Sequence, residues 1–403
     1  MVEPASVPKQ RSWFRRALGL GLALLLVPLV APASLLVLVA ETRPGRLFGG
    51  IACLILMALT STLVLSRTEV PASRSYWIAA RLVAVAAAAV LVIVLIRTSP
   101  EPPPERSTGL ISRFLGDRRV PAYSPFRLLP EIDQVKLGVT LATRFVPWVS
   151  RARTIREITM GHYRAIEADP AARGLEPVTH FAVLEMLGAD FDSGHYFAYI
   201  PRARPGESLG AIVFLHGNGG NFQVMPWAWR SFAERYRFVI LGPTHGFGFW
   251  SRGGVEAVDR VWQDARTRCS IDPDRVYLAG LSDGGVGVTQ SGLAHPDRYR
   301  GLIYLSPTMH QEELGNPDFV RAWKGRPVLV FQGDRDWSVS KTTVDPAVDL
   351  LGSKGVDVDY RILPGEDHFL FFSRSNELFD AIGQWMARAE LVPFPFEKAG
   401  REP

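Results

Sequence analysis

Residues 271–294 read IDPDRVYLAGLSDGGVGVTQSGLA. An apolar, β-rich run, RVYLA, leads into Gly280-Leu281-Ser282-Asp283-Gly284, and a helix-length run of small residues follows. This is a G-x-S-x-G pattern in a strand–turn–helix setting. The turn must be sharp, which strains the serine backbone and demands small residues two positions to either side. The helix starts at the serine, so its amide dipoles favour an anion forming there. The pattern by itself arises by chance in roughly 0.2 places in a chain of this length and composition. The setting separates it from an idle serine in a glycine turn.

Short apolar runs surround this stretch. HYFAYIP (195–201), AIVFLHG (211–217), RFVILGP (237–243), RVYLAGLS (275–282), GLIYLSP (301–307), RPVLVFQGD (326–334) and VDYRILPG (358–365) read as strands. Helix-length segments at 226–236, 253–269, 284–295, 341–354 and 374–389 separate them. Most of the runs are continuously apolar, as strands of a parallel sheet buried on both faces must be. The alternation predicts an α/β domain with a mostly parallel sheet flanked by helices. Such sheets bind ligands at the carboxyl ends of their strands.

A serine hydroxyl becomes a nucleophile when a base takes its proton and a third group orients the base. His368, in Gly365-Glu366-Asp367-His368-Phe369, follows the last strand and is the candidate base. His245 and His310 also follow strands and are weaker candidates. Gly333-Asp334-Arg335-Asp336-Trp337 follows the penultimate strand. Asp336 is the preferred acid, with Asp334 as the alternative. The chain order is then Ser282, Asp336, His368. After the strand AIVFL comes His216-Gly217-Asn218-Gly219-Gly220, whose glycines let backbone amides face a ligand. The amide of Asp283 and an amide at Gly217 or Asn218 are the expected oxyanion hole. Phe249, Trp250, Trp337 and Phe369 lie just after strands and are expected to line an aromatic substrate pocket, with core packing as the alternative for each.

The segments HGNGG (216–220), GLSDGG (280–285), GDRD (333–336) and GEDHF (365–369) occur in this order, each after its strand, over about 190 residues. In this the chain resembles the α/β-hydrolase superfamily, and IDPDRVYLAGLSDGG is similar to the corresponding segment of polyester-depolymerase-like and feruloyl esterases and of prolyl-oligopeptidase-type peptidases. The resemblance implies a sheet of about eight strands and carboxylic-ester hydrolysis through an acyl-enzyme. It says less about substrate than about mechanism.

The first hundred residues differ in kind. Residues 17–40 and 47–65 carry no charge, and residues 77–96 carry only Arg81. About 20 apolar residues cross a hydrocarbon core of ~30 Å, so three transmembrane helices are expected before the hydrolase fold. Residues 1–98 form that region, SPEPPPE and Arg106 (99–106) a proline-rich linker, 107–190 a helical accessory or cap region, and 191–403 the catalytic domain. The chain has 45 basic and 40 acidic residues, a formal charge of +5 and a pI near 9.3. Residues 1–106 hold 11 of the basic and 5 of the acidic groups, leaving 34 and 35 in the rest. The surplus therefore flanks the apolar runs and does not mark a nucleic-acid partner. With the N-terminus inside, inner loops carry six Lys or Arg and outer ones four, which favours a cytoplasmic N-terminus and an extracytoplasmic catalytic domain.

Two cysteines, Cys53 and Cys269, build neither a disulfide framework nor a Cys-rich zinc site. No H-E-x-x-H or G-x-x-x-x-G-K-[ST] sequence occurs, so neither a metal nor a nucleotide cofactor is implied. The expectation is a membrane-anchored serine hydrolase acting on a small-molecule or lipid-like ester. A serine peptidase and a non-catalytic membrane scaffold on a hydrolase fold are the alternatives.

Overall fold

A computed structural model of the protein describes residues 29–65, 71–98, 107–116, 129–145, 152–170 and 192–391, with single positions 21, 26, 172 and 175. The chain divides into two compact units, Met1–Pro100 with Pro121–Phe145, and Glu101–Val120 with Val146–Pro403.

The larger unit is built on one eight-stranded sheet. Its strands are β1 (Gly109–Phe114), β2 (Asp192–Ile200), β3 (Leu209–Leu215), β4 (Phe238–His245), β5 (Ile271–Leu281), β6 (Gly301–Leu305), β7 (Pro327–Gly333) and β8 (Asp357–Leu363). Their order is β1-β2-β4-β3-β5-β6-β7-β8. β2 runs antiparallel to β1 and β4, and every other pair is parallel. Every residue of β3, β4, β6 and β7 is buried, which accounts for their unbroken apolar runs. The chain leaves β3 for β4 on one side and returns to β5 on the other. The carboxyl ends of β3 and β5 therefore flank a topological switch point, where an open α/β sheet leaves a crevice.

Seven strands correspond to the runs read from the sequence. The eighth, β1, lies in the stretch expected to be helical accessory structure. GLISRF has little strand signature of its own, and it becomes a strand by pairing along β2, from Gly109 opposite Ile200 to Phe114 opposite His195. The helix expected at 226–236 is two short helices, Val224–Ala228 and Arg230–Tyr236, meeting at Trp229. Helix Ala152–Ala168 buries Ile155, Met160, Tyr163 and Ile166 along one face and packs beside the short helices Val224–Ala228 and Leu370–Ser373.

The smaller unit contains helices Leu29–Val39, Arg43–Leu65, Pro71–Thr98 and Glu131–Phe145. Asp133 is fully buried and ties the last of these to the turn before Arg43–Leu65. Its carboxylate accepts the Glu41 amide at 2.6 Å and the Thr42 hydroxyl at 2.5 Å, while Lys136 pairs with Glu41 at 2.7 Å. Burial pushes the Asp133 carboxyl above its ordinary range, against those hydrogen bonds. Among the described residues one helix, Arg43–Leu65, is long and apolar enough to cross a membrane, and Leu29–Val39 and Arg81–Val94 are shorter apolar stretches. Of the first expected span, 17–40, residues 17–20, 22–25, 27 and 28 lie outside the described residues.

Candidate active site

Ser282 stands between β5 and helix Gly284–Ala294 with φ +54°, in the left-handed region that most non-glycine residues avoid. Its amide donates to Leu305 O at 3.0 Å, and its carbonyl accepts the amides of Gly285 and Thr308, each at 2.9 Å. Those bonds hold the serine in its strained conformation. A Cβ at Gly280 would collide with the carbonyl of Gly284, and one at Gly284 with that of Leu215. The glycines on either side of Ser282 are thus steric requirements of the turn.

The Ser282 Oγ lies 2.9 Å from His368 Nε2, and His368 Nδ1 lies 2.9 Å and 3.1 Å from the two carboxylate oxygens of Asp336. A carboxylate only accepts, so Nδ1 carries the proton and Nε2 is free to receive one from the hydroxyl. The Asp336 side chain is entirely buried, and its Oδ1 also accepts the amides of Ser338 and Val339 at 2.9 Å each. Three donors thus converge on this one buried carboxylate. The alternative acid, Asp334, is exposed and accepts the Gly365 amide at 2.6 Å. It ties the loop carrying the acid to the loop carrying the histidine. Arg335 N donating to Glu366 O at 2.9 Å makes a second tie. Glu366, itself buried, is anchored by Arg374 Nε at 2.8 Å and Ser373 Oγ at 2.7 Å.

The loop after β3 faces the serine. A Cβ placed on Gly217 would lie 2.9 Å from Ser282 Cβ and 3.6 Å from its Oγ. Among the described residues the amides of Asn218 and Asp283 donate to no carbonyl. The loop is moulded against the turn after β4: Gly219 N donates to Phe247 O at 2.8 Å, and Trp250 Nε1 to His216 O at 2.8 Å. His216 is fully buried, accepts the His245 amide on Nε2 at 3.2 Å, and so donates from Nδ1 to Gly217 O at 2.8 Å. It has a structural role. Burial pushes the Asp283 carboxyl above its ordinary range, opposed by the charge of His310 and by the Trp250 amide.

The expected pocket residues separate into two groups. Trp337 is 40% exposed, and its ring lies 6.2 Å from that of His368, as does the ring of half-buried Phe369. Phe249 is half-buried beside Phe247, ring centroids 5.8 Å apart. Trp250 is 0% exposed and wedged against His216 and His245, so it belongs to the core under the loop and not to a pocket wall. Its indole N–H found a buried carbonyl partner, as buried tryptophans usually require. Sequence reasoning missed Asn221 and Thr244, whose buried side chains meet behind the loop, Nδ2 to Oγ1, at 3.0 Å. The only signal for Asn221 was its place directly after HGNGG. Among the described residues no three His, Cys, Asp or Glu side chains are grouped to hold a metal ion.

No protein-family model matches the chain. The chain is 35% identical over 95 residues, 24% of its length, to a pimeloyl-(acyl-carrier protein) methyl ester esterase of Aeromonas hydrophila, and the match spans 37% of that relative. It is 25% identical over 227 residues to acyl-protein thioesterase 1 of Neurospora crassa, covering 47% of this chain and 89% of that protein. Among solved structures, Est1E from Butyrivibrio proteoclasticus matches 49% of this chain and 95% of its own at 18% identity, with a TM-score of 0.40. The mostly parallel eight-stranded sheet with its flanking helices is consistent with an α/β-hydrolase fold, and over part of its length the chain is similar to esterases and a thioesterase.

Proposed function

We propose that the chain is a membrane-anchored serine hydrolase that cleaves carboxylic esters through an acyl-enzyme. The observation that carries this reading is the continuous line from Ser282 Oγ to His368 to buried Asp336, on a serine with φ +54°. His368 Nε2 takes the hydroxyl proton as Ser282 Oγ attacks the ester carbonyl. Asp336 holds the ring and stabilises the imidazolium. The carbonyl oxygen becomes an oxyanion held by the amides of Asp283 and of Gly217 or Asn218. On collapse, His368 returns the proton to the departing alkoxide, and the alcohol leaves. Water then loses a proton to His368, attacks the acyl-enzyme, and frees the acid and Ser282. Half-exposed Trp337, with Phe249 and Phe369, provides an aromatic rim suited to an acyl chain. The esterase and thioesterase names of the similar proteins support ester or thioester substrates.

The anchoring half of the proposal rests on apolar side chains facing outward from the helices of the smaller unit. Leu38, Leu82 and Val83 are 81%, 65% and 69% exposed, an arrangement that suits lipid. The surplus of Lys and Arg before the first apolar run and between the second and third favours a cytoplasmic N-terminus with the catalytic domain outside.

A fluorophosphonate probe tests the chemistry. Wild type should be labelled and should turn over a panel of acyl esters and thioesters, and Ser282→Ala should do neither. Labelling that survives Ser282→Ala, or release of amines from peptides without ester turnover, would overturn the reading. A reporter fused after residue 106 tests topology, and a cytoplasmic signal would reverse it.

A further inference from the structure

Four side chains outside the reacting group form one line of polar contacts across the sheet. Ser112 Oγ on β1 lies 2.9 Å from His195 Nε2 on β2. His195 Nδ1 lies 2.8 Å from Thr244 Oγ1 on β4, the residue directly opposite it in the antiparallel register. Thr244 Oγ1 accepts Asn221 Nδ2 at 3.0 Å, and the same nitrogen donates to Gly242 O at 2.7 Å. Asn221 immediately follows the glycine-rich loop after β3. The line therefore runs β1, β2, β4, and then the loop of β3, in the spatial order of the strands.

Three of the four residues, His195, Thr244 and Asn221, are buried to 1% exposure. Burying so much polarity is unfavourable unless it is engaged, and the contacts above engage His195, Thr244 and the Asn221 nitrogen, while Asn221 Oδ1 is buried without a hydrogen-bond partner among the described residues. The orientation of the Asn221 amide is also determined: Gly242 O can only accept, so the nitrogen must face it. His195 is confined between Phe114 and Phe197, with ring centroids at 4.5 Å and 4.6 Å.

On the reading that Ser282 is the nucleophile, we infer that Ser112, His195, Thr244 and Asn221 are positioning residues that set the Gly217–Asn218 amides from the edge of the sheet. The front of the loop is held by the turn after β4, through Trp250 and Phe247. Asn221 holds its rear. With both ends fastened, the Gly217–Asn218 amides keep their aim at the oxyanion, and the aim enters kcat and not substrate binding. Loss of the string would let the loop relax without removing any group that touches substrate.

The experiment measures kcat, KM, melting temperature and fluorophosphonate labelling rate for Thr244→Val and Thr244→Ser in the full-length protein. Thr244→Val keeps the shape and removes the hydroxyl. It should lower kcat and the labelling rate about tenfold, in line with partial loss of an oxyanion donor, with KM within about twofold. Thr244→Ser should restore wild-type values. Ser112→Ala and Ser112→Thr repeat the comparison at the half-buried far end of the string, should Thr244→Val fail to fold. Equal kcat in the Val and Ser variants, or kcat and KM changing together in step with the melting temperature, overturns the inference while leaving the nucleophile assignment intact. A wild type that is neither labelled nor active on esters overturns the assignment of Ser282 and the string together.

Discussion

Gly217 and Ser282 approach so closely that a methyl group on the glycine would stand 2.9 Å from Ser282 Cβ and 3.2 Å from Leu281 O. Neither neighbour is the flexible end of a side chain, so the loop itself must retreat. Gly217→Ala should therefore lower kcat/KM about 10²-fold or more, comparable to loss of one oxyanion donor. The hydrophobic core is untouched, and the melting temperature should change little. Steady-state kinetics beside a thermal melt check both parts.

Strain at Ser282 makes stability and activity move in opposite directions. A residue with a Cβ held at φ +54° costs roughly 1 kcal/mol or more, and glycine does not bear that cost. Ser282→Gly should abolish hydrolysis and labelling and yet unfold at the same temperature as wild type or a higher one. Differential scanning calorimetry of the pair decides it. A clear fall in melting temperature would mean that the hydroxyl contact to His368 outweighs the backbone strain.

The two aspartates of the acid loop should behave unlike each other. Asp336→Asn changes the partner of His368 Nδ1 from a pure acceptor to an amide, and should lower kcat by about 10⁴-fold. Asp334→Asn weakens one hydrogen bond to the Gly365 amide at an exposed turn and should cost less than tenfold. Similar losses in both variants would mean that the loop geometry, and not the charge at Asp336, is what His368 needs.

Burial raises the Asp283 carboxyl in the folded protein, which fixes the sign of a pH effect. Below the unfolded-state value the group is neutral in both states and has no bearing on stability. As pH climbs through the raised folded value, the charged form is penalised in the fold alone, so stability falls. Asp283→Asn should therefore melt higher than wild type at pH 7, and the gain should vanish near pH 4. The main-chain amide at 283 is retained, so ester turnover should persist. A melting-temperature difference independent of pH would contradict the argument.

The glycine-flanked turn at Ser282, the order of Ser282, Asp336 and His368, and the seven apolar strand runs were all local in the sequence. Steric demands on glycines 280 and 284, and the two-sided burial of parallel strands, leave their marks within a few residues of where they act. What depended on approach between distant segments could not be read there. GLISRF is a strand because β2 offers it an edge, and nothing in those six residues declares it. Trp250 follows a strand, as a pocket residue would, yet the turn after β4 folds it inward, where its indole supports the loop of Gly217. Asp336 and Asp334 are chemically alike and two residues apart, and only the burial of one against His368 separates them. The sequence by itself determined the candidate reactive groups and their order along the chain, because tight turns impose residue identities locally. The tertiary structure decided which of these groups come together, which hold the loops and which fill the core, because that depends on burial and direction, which the chain acquires only on folding.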